Sequence, residues 1–137
     1  MQSQSGMWIS LEGADPRDVE PDSTQRAISA LIKFGLPVDF PPIIRACEVL
    51  ENFILTEAEE WAKAFNPVWP WIASLDGLAA AGCTVENRAV KHALEKIFEL
   101  QLSNGGWPQG YELRVVPTLI SLGVLSRREV LRLLQIE

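Results

Sequence analysis

Few side chains in this sequence have the type and spacing that chemistry requires. Glu57, Glu59 and Glu60 stand close enough together to suggest a metal–diphosphate cluster. They fall in the first turn of a short helical pattern, however, where carboxylates suit the helix dipole, and no Asp-Asp-x-x-Asp pattern accompanies them. His92 is the single histidine. Neither it nor Cys83 has a second soft ligand at metal-site spacing, so no metal and no other cofactor is expected. Asp76 lies inside an otherwise apolar stretch, 71–81, where it either faces a ligand-binding side or meets a cation such as Arg88. The aromatics Trp61, Phe65, Trp69, Trp71, Trp107 and Tyr111 gather at helix ends. There they fill junctions between helices or offer ring faces to a ligand. Asp76, Trp69, Trp71 and Tyr111 are the candidate ligand contacts. No Ser-His-Asp or Cys-His grouping and no phosphate-cradling glycine loop is recognisable.

The elements that must position these residues are helical and repeat. Leu31–Gly35, Leu78–Gly82 and Leu119–Gly123 each read Leu-x-x-x-Gly near the end of an apolar helical stretch. The glycines are 47 and 41 positions apart, and a second helical pattern follows each. That period predicts stacked helix hairpins, none able to bury its apolar face without its neighbours. The hairpins cover about 22–55, 56–102 and 103–137, after an irregular segment at 1–21. First helices are expected at about 24–35, 71–82 and 114–123, and second helices at about 41–54, 84–102 and 126–135.

Local signals set those limits. Asp22 or Ser23 can cap the first helix, with Gln25 three positions after Asp22. Thr56-x-x-Glu59 and Ser126-x-x-Glu129 read as capping boxes, and Thr84 as the cap of the helix that follows it. Ile43, Cys47, Leu50 and Ile54 share one helical face, as do Val90, Ala93, Leu94, Ile97 and Phe98. The alanines of 72–81 allow close helix approach. No strand with period-two alternation is present, so the fold class is all-α.

Composition bounds the function. The 137 residues suit one domain, with 47% apolar and 22% charged residues, a globular balance. Twelve basic against eighteen acidic residues give a net charge of −6. With no Lys/Arg cluster beyond Arg127-Arg128, nucleic acid is not an expected partner. No apolar run is long enough for a transmembrane segment. The first six residues lack the charge and apolar core of a signal peptide. Cys47 and Cys83 could pair, but each sits in a helical or helix-end context that suits a small buried thiol better. A cytosolic (cytoplasmic) location is expected.

The link between the second and third hairpins, Gln101-Leu102-Ser103-Asn104-Gly105-Gly106-Trp107, reads Gln-x-x-x-Gly-x-Trp. Gln2-Ser3-Gln4-Ser5-Gly6-Met7-Trp8 has the same spacing. This pattern resembles the QW repeat of triterpene cyclases such as squalene–hopene cyclases, within the terpenoid cyclase and protein prenyltransferase α/α-toroid superfamily. Lys96 stands where the full motif prefers an aromatic. The resemblance implies that Gln2, Trp8, Gln101 and Trp107 are structural clamps, the glutamine amide holding backbone groups at a helix end and the indole stacking over it. It also implies a ring of inner and outer helices, of which three hairpins make about half.

A second likeness is to the Asp-x-Asp-Asp-Thr motif of class II terpene cyclases. Glu20-Pro21-Asp22-Ser23-Thr24 follows Gly6-Met7-Trp8 and precedes an inner helix. Asp22 matches the family's proton-donating aspartate, Glu20 its first acid and Thr24 its threonine, whereas Ser23 stands in place of an acid. Two functions follow. One is a terpene-cyclase-like domain that binds an apolar isoprenoid, with Asp22 protonating an alkene or epoxide and aromatic faces steadying the carbocations (isomerase or lyase chemistry). The other is a non-catalytic helical-repeat module for protein interaction or self-association. A half-ring would leave an apolar concave face, to be closed by a second copy or by a completing subunit.

Overall fold

The computed structural model describes residues 16–126 and 128, with side chains from Pro21 onward. The described residues form six α-helices and one 3-10 turn, with no strand. The helices are α1 (Pro16–Lys33), α2 (Pro41–Thr56), α3 (Ala58–Ala64), α4 (Trp69–Ala80), α5 (Arg88–Glu99) and α6 (Glu112–Ser121); the 3-10 turn is Pro108–Gly110. None of them is long and apolar enough to cross a membrane.

The Leu-x-x-x-Gly repeat is a helix stop. In each copy the glycine takes a left-handed φ, 92° at Gly35, 87° at Gly82 and 77° at Gly123. The amide after the glycine returns to the leucine carbonyl: Leu36 to Leu31 at 3.1 Å, Cys83 to Leu78 at 3.0 Å and Val124 to Leu119 at 2.9 Å. The glycine amides themselves reach Ile32, Ala79 and Ile120 at 2.9–3.0 Å. These are three Schellman motifs, which satisfy carbonyls the helix would otherwise leave unpaired.

Helix α4 is the centre of the molecule. Pro70 to Leu75, Gly77 and Leu78 are all buried, as expected of a helix apolar on every side. It touches α1, α2, α3, α5 and α6, while α2 also touches α1, α3 and α5. A Cβ on Gly77 would stand 2.5 Å from Leu50 Cδ1 and 3.4 Å from Gln25 Cα. The absence of a side chain there lets α1 and α2 close on α4. In α5, Ala89, Val90, Ala93, Leu94 and Ile97 are buried along one stripe. Along α2 the buried set is Ile43, Ala46, Leu50, Phe53 and Ile54, and Cys47 is half-buried beside it.

Several helix starts differ from those read in the sequence. Helix α1 begins at Pro16, a residue suited to a first turn, so 16–21 is not irregular. Pro21 lies inside the helix. Asp22 and Ser23 therefore sit mid-helix and cap nothing. Thr56 belongs to the end of α2, its hydroxyl donating to the Asn52 carbonyl at 2.7 Å, and the expected capping box of α3 does not form. Helix α5 starts later than Thr84 because Asn87 is the better cap: its Oδ1 accepts from Ala89 and Val90 amides at 2.8 and 3.1 Å. Thr84 instead makes a preceding turn, accepting from the Asn87 amide. Gln2, Trp8 and nearly all of the helix expected at 126–135 lie outside the described residues.

Candidate functional site

One charged cluster joins three helices. Asp22 comes from α1, Asp76 from α4, and Arg114 and Thr118 from consecutive turns of α6. The Arg114 guanidinium spans both acids: Nη2 donates to Asp22 Oδ1 at 2.6 Å, and Nε donates to Asp76 Oδ2 at 2.8 Å. The other oxygen of Asp22 accepts from Trp69 Nε1 at 2.7 Å. The other oxygen of Asp76 meets the Thr118 hydroxyl, which also lies 3.0 Å from the Arg114 carbonyl oxygen. Side-chain exposure is 30% for Arg114, 22% for Asp22 and 21% for Asp76, so the cluster is neither dry nor freely solvated.

Burial pushes the Asp76 carboxyl above its ordinary range, and the hydrogen bonds from Thr118 and Arg114 oppose that only in part. Burial also works against the Arg114 charge, but its bonds to Asp22 and Asp76 outweigh it and hold the guanidinium above its usual value. Thr118 has one proton to give. It serves an ionised Asp76, or it turns to its own helix carbonyl and accepts from a protonated Asp76. At Asp22 both oxygens are acceptors, one of them from a cation.

Trp69 links this cluster to an aromatic cavity of about 230 Å³ lined by Trp61, Phe65, Asn66, Trp69 and Tyr111. The Trp61 ring lies 5.5 Å from Phe65 and 5.6 Å from Trp69, centre to centre. Asn66 fixes the approach to α4. Its Oδ1 accepts from the Val68 and Trp69 amides, both at 2.9 Å. Its Nδ2 donates to Gln109 Oε1 at 2.8 Å. Gln109 holds a left-handed φ of 59°, uncommon without glycine, and this bond ties the 3-10 turn, and Tyr111 behind it, to the start of α4.

Among the predicted ligand contacts the structure thus brings Trp69 and Tyr111 to one cavity, with Asp76 in the neighbouring charged cluster. Trp71 is elsewhere. It is buried, its ring edge-on to half-buried His92 at 5.8 Å, and it lines a different cavity with Lys63, Lys96 and Glu59. Thr24 is buried within α1. Glu20 is part of α1, and its side chain is outside the described set. The cation at Asp76 is Arg114, whereas Arg88 is exposed at the start of α5. The acidic turn of α3 is solvated, with Glu59 reaching Lys96 at 3.2 Å and Glu60 reaching Lys63 at 3.9 Å. No group of three or more His, Cys, Asp or Glu among the described residues could hold a metal ion.

The Gln-x-x-x-Gly-x-Trp segment closes on itself. Gln101 Nε2 donates to the Gly105 carbonyl at 2.9 Å, an exposed bond inside the loop. Trp107 is buried and its Nε1 donates to the Ile97 carbonyl at 2.7 Å, fastening the loop to the last turn of α5. The glutamine thus meets its own loop, and the indole meets the helix end. Arg114, Thr118 and Asn66 escape a reading of the sequence. Arg114 carried a signal: it is the single charge in the apolar stretch 114–123, as Asp76 is in 71–82.

No protein-family model, curated protein or solved structure matches this chain.

Proposed function

We propose that this chain is a terpenoid-cyclase-like helical array of α/α-toroid type that binds rather than transforms, and that Asp22 is a structural acceptor instead of a catalytic acid. The observation that carries this is the engagement of both Asp22 oxygens: Arg114 donates to one and Trp69 to the other. Alkene protonation needs a carboxylic acid with its proton aimed at the substrate. The hairpin arrangement draws support from the contacts of α4 with both α1 and α6, which stand as successive inner helices, and from the contact of α2 with α5 as successive outer ones. The two free thiols accord with a cytosolic protein.

The test uses the purified chain and its Asp22→Asn variant, each incubated with squalene and with geranylgeranyl diphosphate. Products are analysed by gas chromatography and mass spectrometry. Both proteins should give no cyclised product, with the variant folded but less heat-stable. A cyclic product made by the parent and lost in the variant would establish catalysis and overturn the proposal.

The aromatic cavity beside Trp69 favours an apolar isoprenoid as the small ligand, because its walls are ring faces and the Asn66 amide is already engaged on both sides. Lipid extracted from the purified chain should contain an isoprenoid that Trp61→Ala depletes. Phe34 at 88% exposure and Leu113 at 86% favour association with a second copy or a completing subunit. Light scattering after size exclusion should give more than the monomer mass, and a monomer at every concentration would count against self-association.

A further inference from the structure

The aromatic cavity differs in charge from two others on the molecule. Lys63 and Lys96 help to wall a cavity of about 240 Å³, and Arg88 and Lys91 one of about 470 Å³. Among the described residues no charged side chain lines the cavity of Trp61, Phe65, Asn66, Trp69 and Tyr111. The charge that Trp69 touches is a carboxylate, Asp22. The Arg114 guanidinium beyond it is already shared between Asp22 and Asp76. An anionic head group would find no free countercharge here.

Size and polarity narrow the ligand further. At about 230 Å³ the cavity falls below the roughly 300–1,000 Å³ of pockets that enclose drug-sized ligands. At roughly 30 Å³ for each heavy atom, the share of one water in the liquid, it seats about eight. An isoprene unit has five carbons, so one unit fits and most of a second. Asn66 spends its oxygen on two amides and its nitrogen on Gln109, and Trp69 spends its indole N–H on Asp22. The Tyr111 hydroxyl and the Trp61 indole N–H make no hydrogen bond among the described residues. Both can donate to an oxygen.

We propose that this cavity takes a short, uncharged, oxygenated isoprenoid of one or two units, an alcohol or carbonyl compound whose oxygen accepts from Tyr111. The proposal rests on the isoprenoid reading above and names the ligand class within it. Ring faces take the hydrocarbon, and Tyr111 tells an oxygenated ligand from a plain one. Prenyl diphosphates and long polyprenes are poor fits, the first for charge and the second for size.

The experiment titrates the full chain by calorimetry with geraniol, farnesol, geranyl diphosphate and the hydrocarbon myrcene. Geraniol should bind, and Trp61→Ala should abolish its binding while circular dichroism shows the helices intact. Farnesol, one unit longer, should bind within about threefold of geraniol, whereas a channel burying its extra five carbons would tighten binding about a hundredfold or more. Geranyl diphosphate should bind at least about tenfold more weakly than geraniol. Tyr111→Phe should weaken geraniol by about 3–10-fold and leave myrcene unchanged. If neither alcohol nor myrcene binds, the isoprenoid reading falls and this proposal with it. If farnesol binds a hundredfold tighter, if geranyl diphosphate matches geraniol, or if Tyr111→Phe moves geraniol and myrcene alike, the isoprenoid reading stands and this proposal alone is overturned.

Discussion

Arg114 and Asp22 stand 92 positions apart in the chain, yet a guanidinium nitrogen lies 2.6 Å from a carboxylate oxygen. The same guanidinium holds Asp76. One cation thus ties α1, α4 and α6 at a single point, and its loss leaves two carboxylates facing each other in a half-buried space. Arg114→Met should destabilise the fold by about 1–3 kcal/mol in urea titrations, below the cost of breaking a fully buried pair because water reaches this cluster. Adding Asp76→Asn to Arg114→Met should recover part of the loss. A strictly additive double-mutant cycle would show that the three charges do not act together.

Asp76 gives a pH signature. Its folded pKa is raised above the ordinary value of about 3.8, chiefly by burial. The native state therefore binds this proton more tightly than the unfolded chain. The resulting stability is fully present below about pH 3.8 and is lost as pH rises through the folded pKa. Asp76→Asn removes this dependence, so the variant should lose more stability relative to the parent at about pH 4 than at about pH 7. Urea midpoints across that interval measure it, and a gap that widens toward neutral pH would reverse the assignment.

Two glycines in one helix region should fail for different reasons. Gly77→Ala meets Leu50 at 2.5 Å within a buried contact. Overpacking of about 1–3 kcal/mol should exceed the roughly 1 kcal/mol of helix propensity gained. Gly82→Ala meets nothing within 4 Å but must adopt a φ of 87°, at a cost of about 1 kcal/mol. Trimming Leu50 to Ala should lessen the effect of Gly77→Ala and leave that of Gly82→Ala unchanged. Thermal midpoints of the paired variants decide this.

Trp107→Phe keeps most of the buried ring and removes the bond from Nε1 to the Ile97 carbonyl. It should lower stability by about 1–2 kcal/mol. Hydrogen exchange should quicken in the last turn of α5 while the first turn of α5, held by Asn87, is unchanged. Uniform quickening would mean that the indole bond does not act locally.

The helical character of the chain and the ends of α1, α4 and α6 were legible because they depend on near neighbours. A Schellman stop involves six consecutive residues, and the amphipathic face of α5 repeats within one turn. Helix starts were less legible. The segment 1–21 was expected to be irregular, yet residues 16–21 belong to α1, and Asn87 out-competed Thr84 as a cap. The site was legible only in fragments. Asp76 stood out as a lone charge in an apolar run, but nothing local names a partner 38 positions away, and Arg88 was the nearer choice. Trp69 and Trp71 looked equivalent in sequence. Two positions along a helix point to nearly opposite sides, so one reaches Asp22 and the other packs against His92.

The repeated leucine–glycine stop has a further meaning for how such a chain can change over evolutionary time. Every bond that closes it comes from within its own six residues, so a duplicated segment arrives already punctuated. Arrays of this kind can be lengthened or shortened by whole segments without redesigning where each rod finishes. What a new segment must supply afresh is the grip between rods, as Arg114 supplies it here.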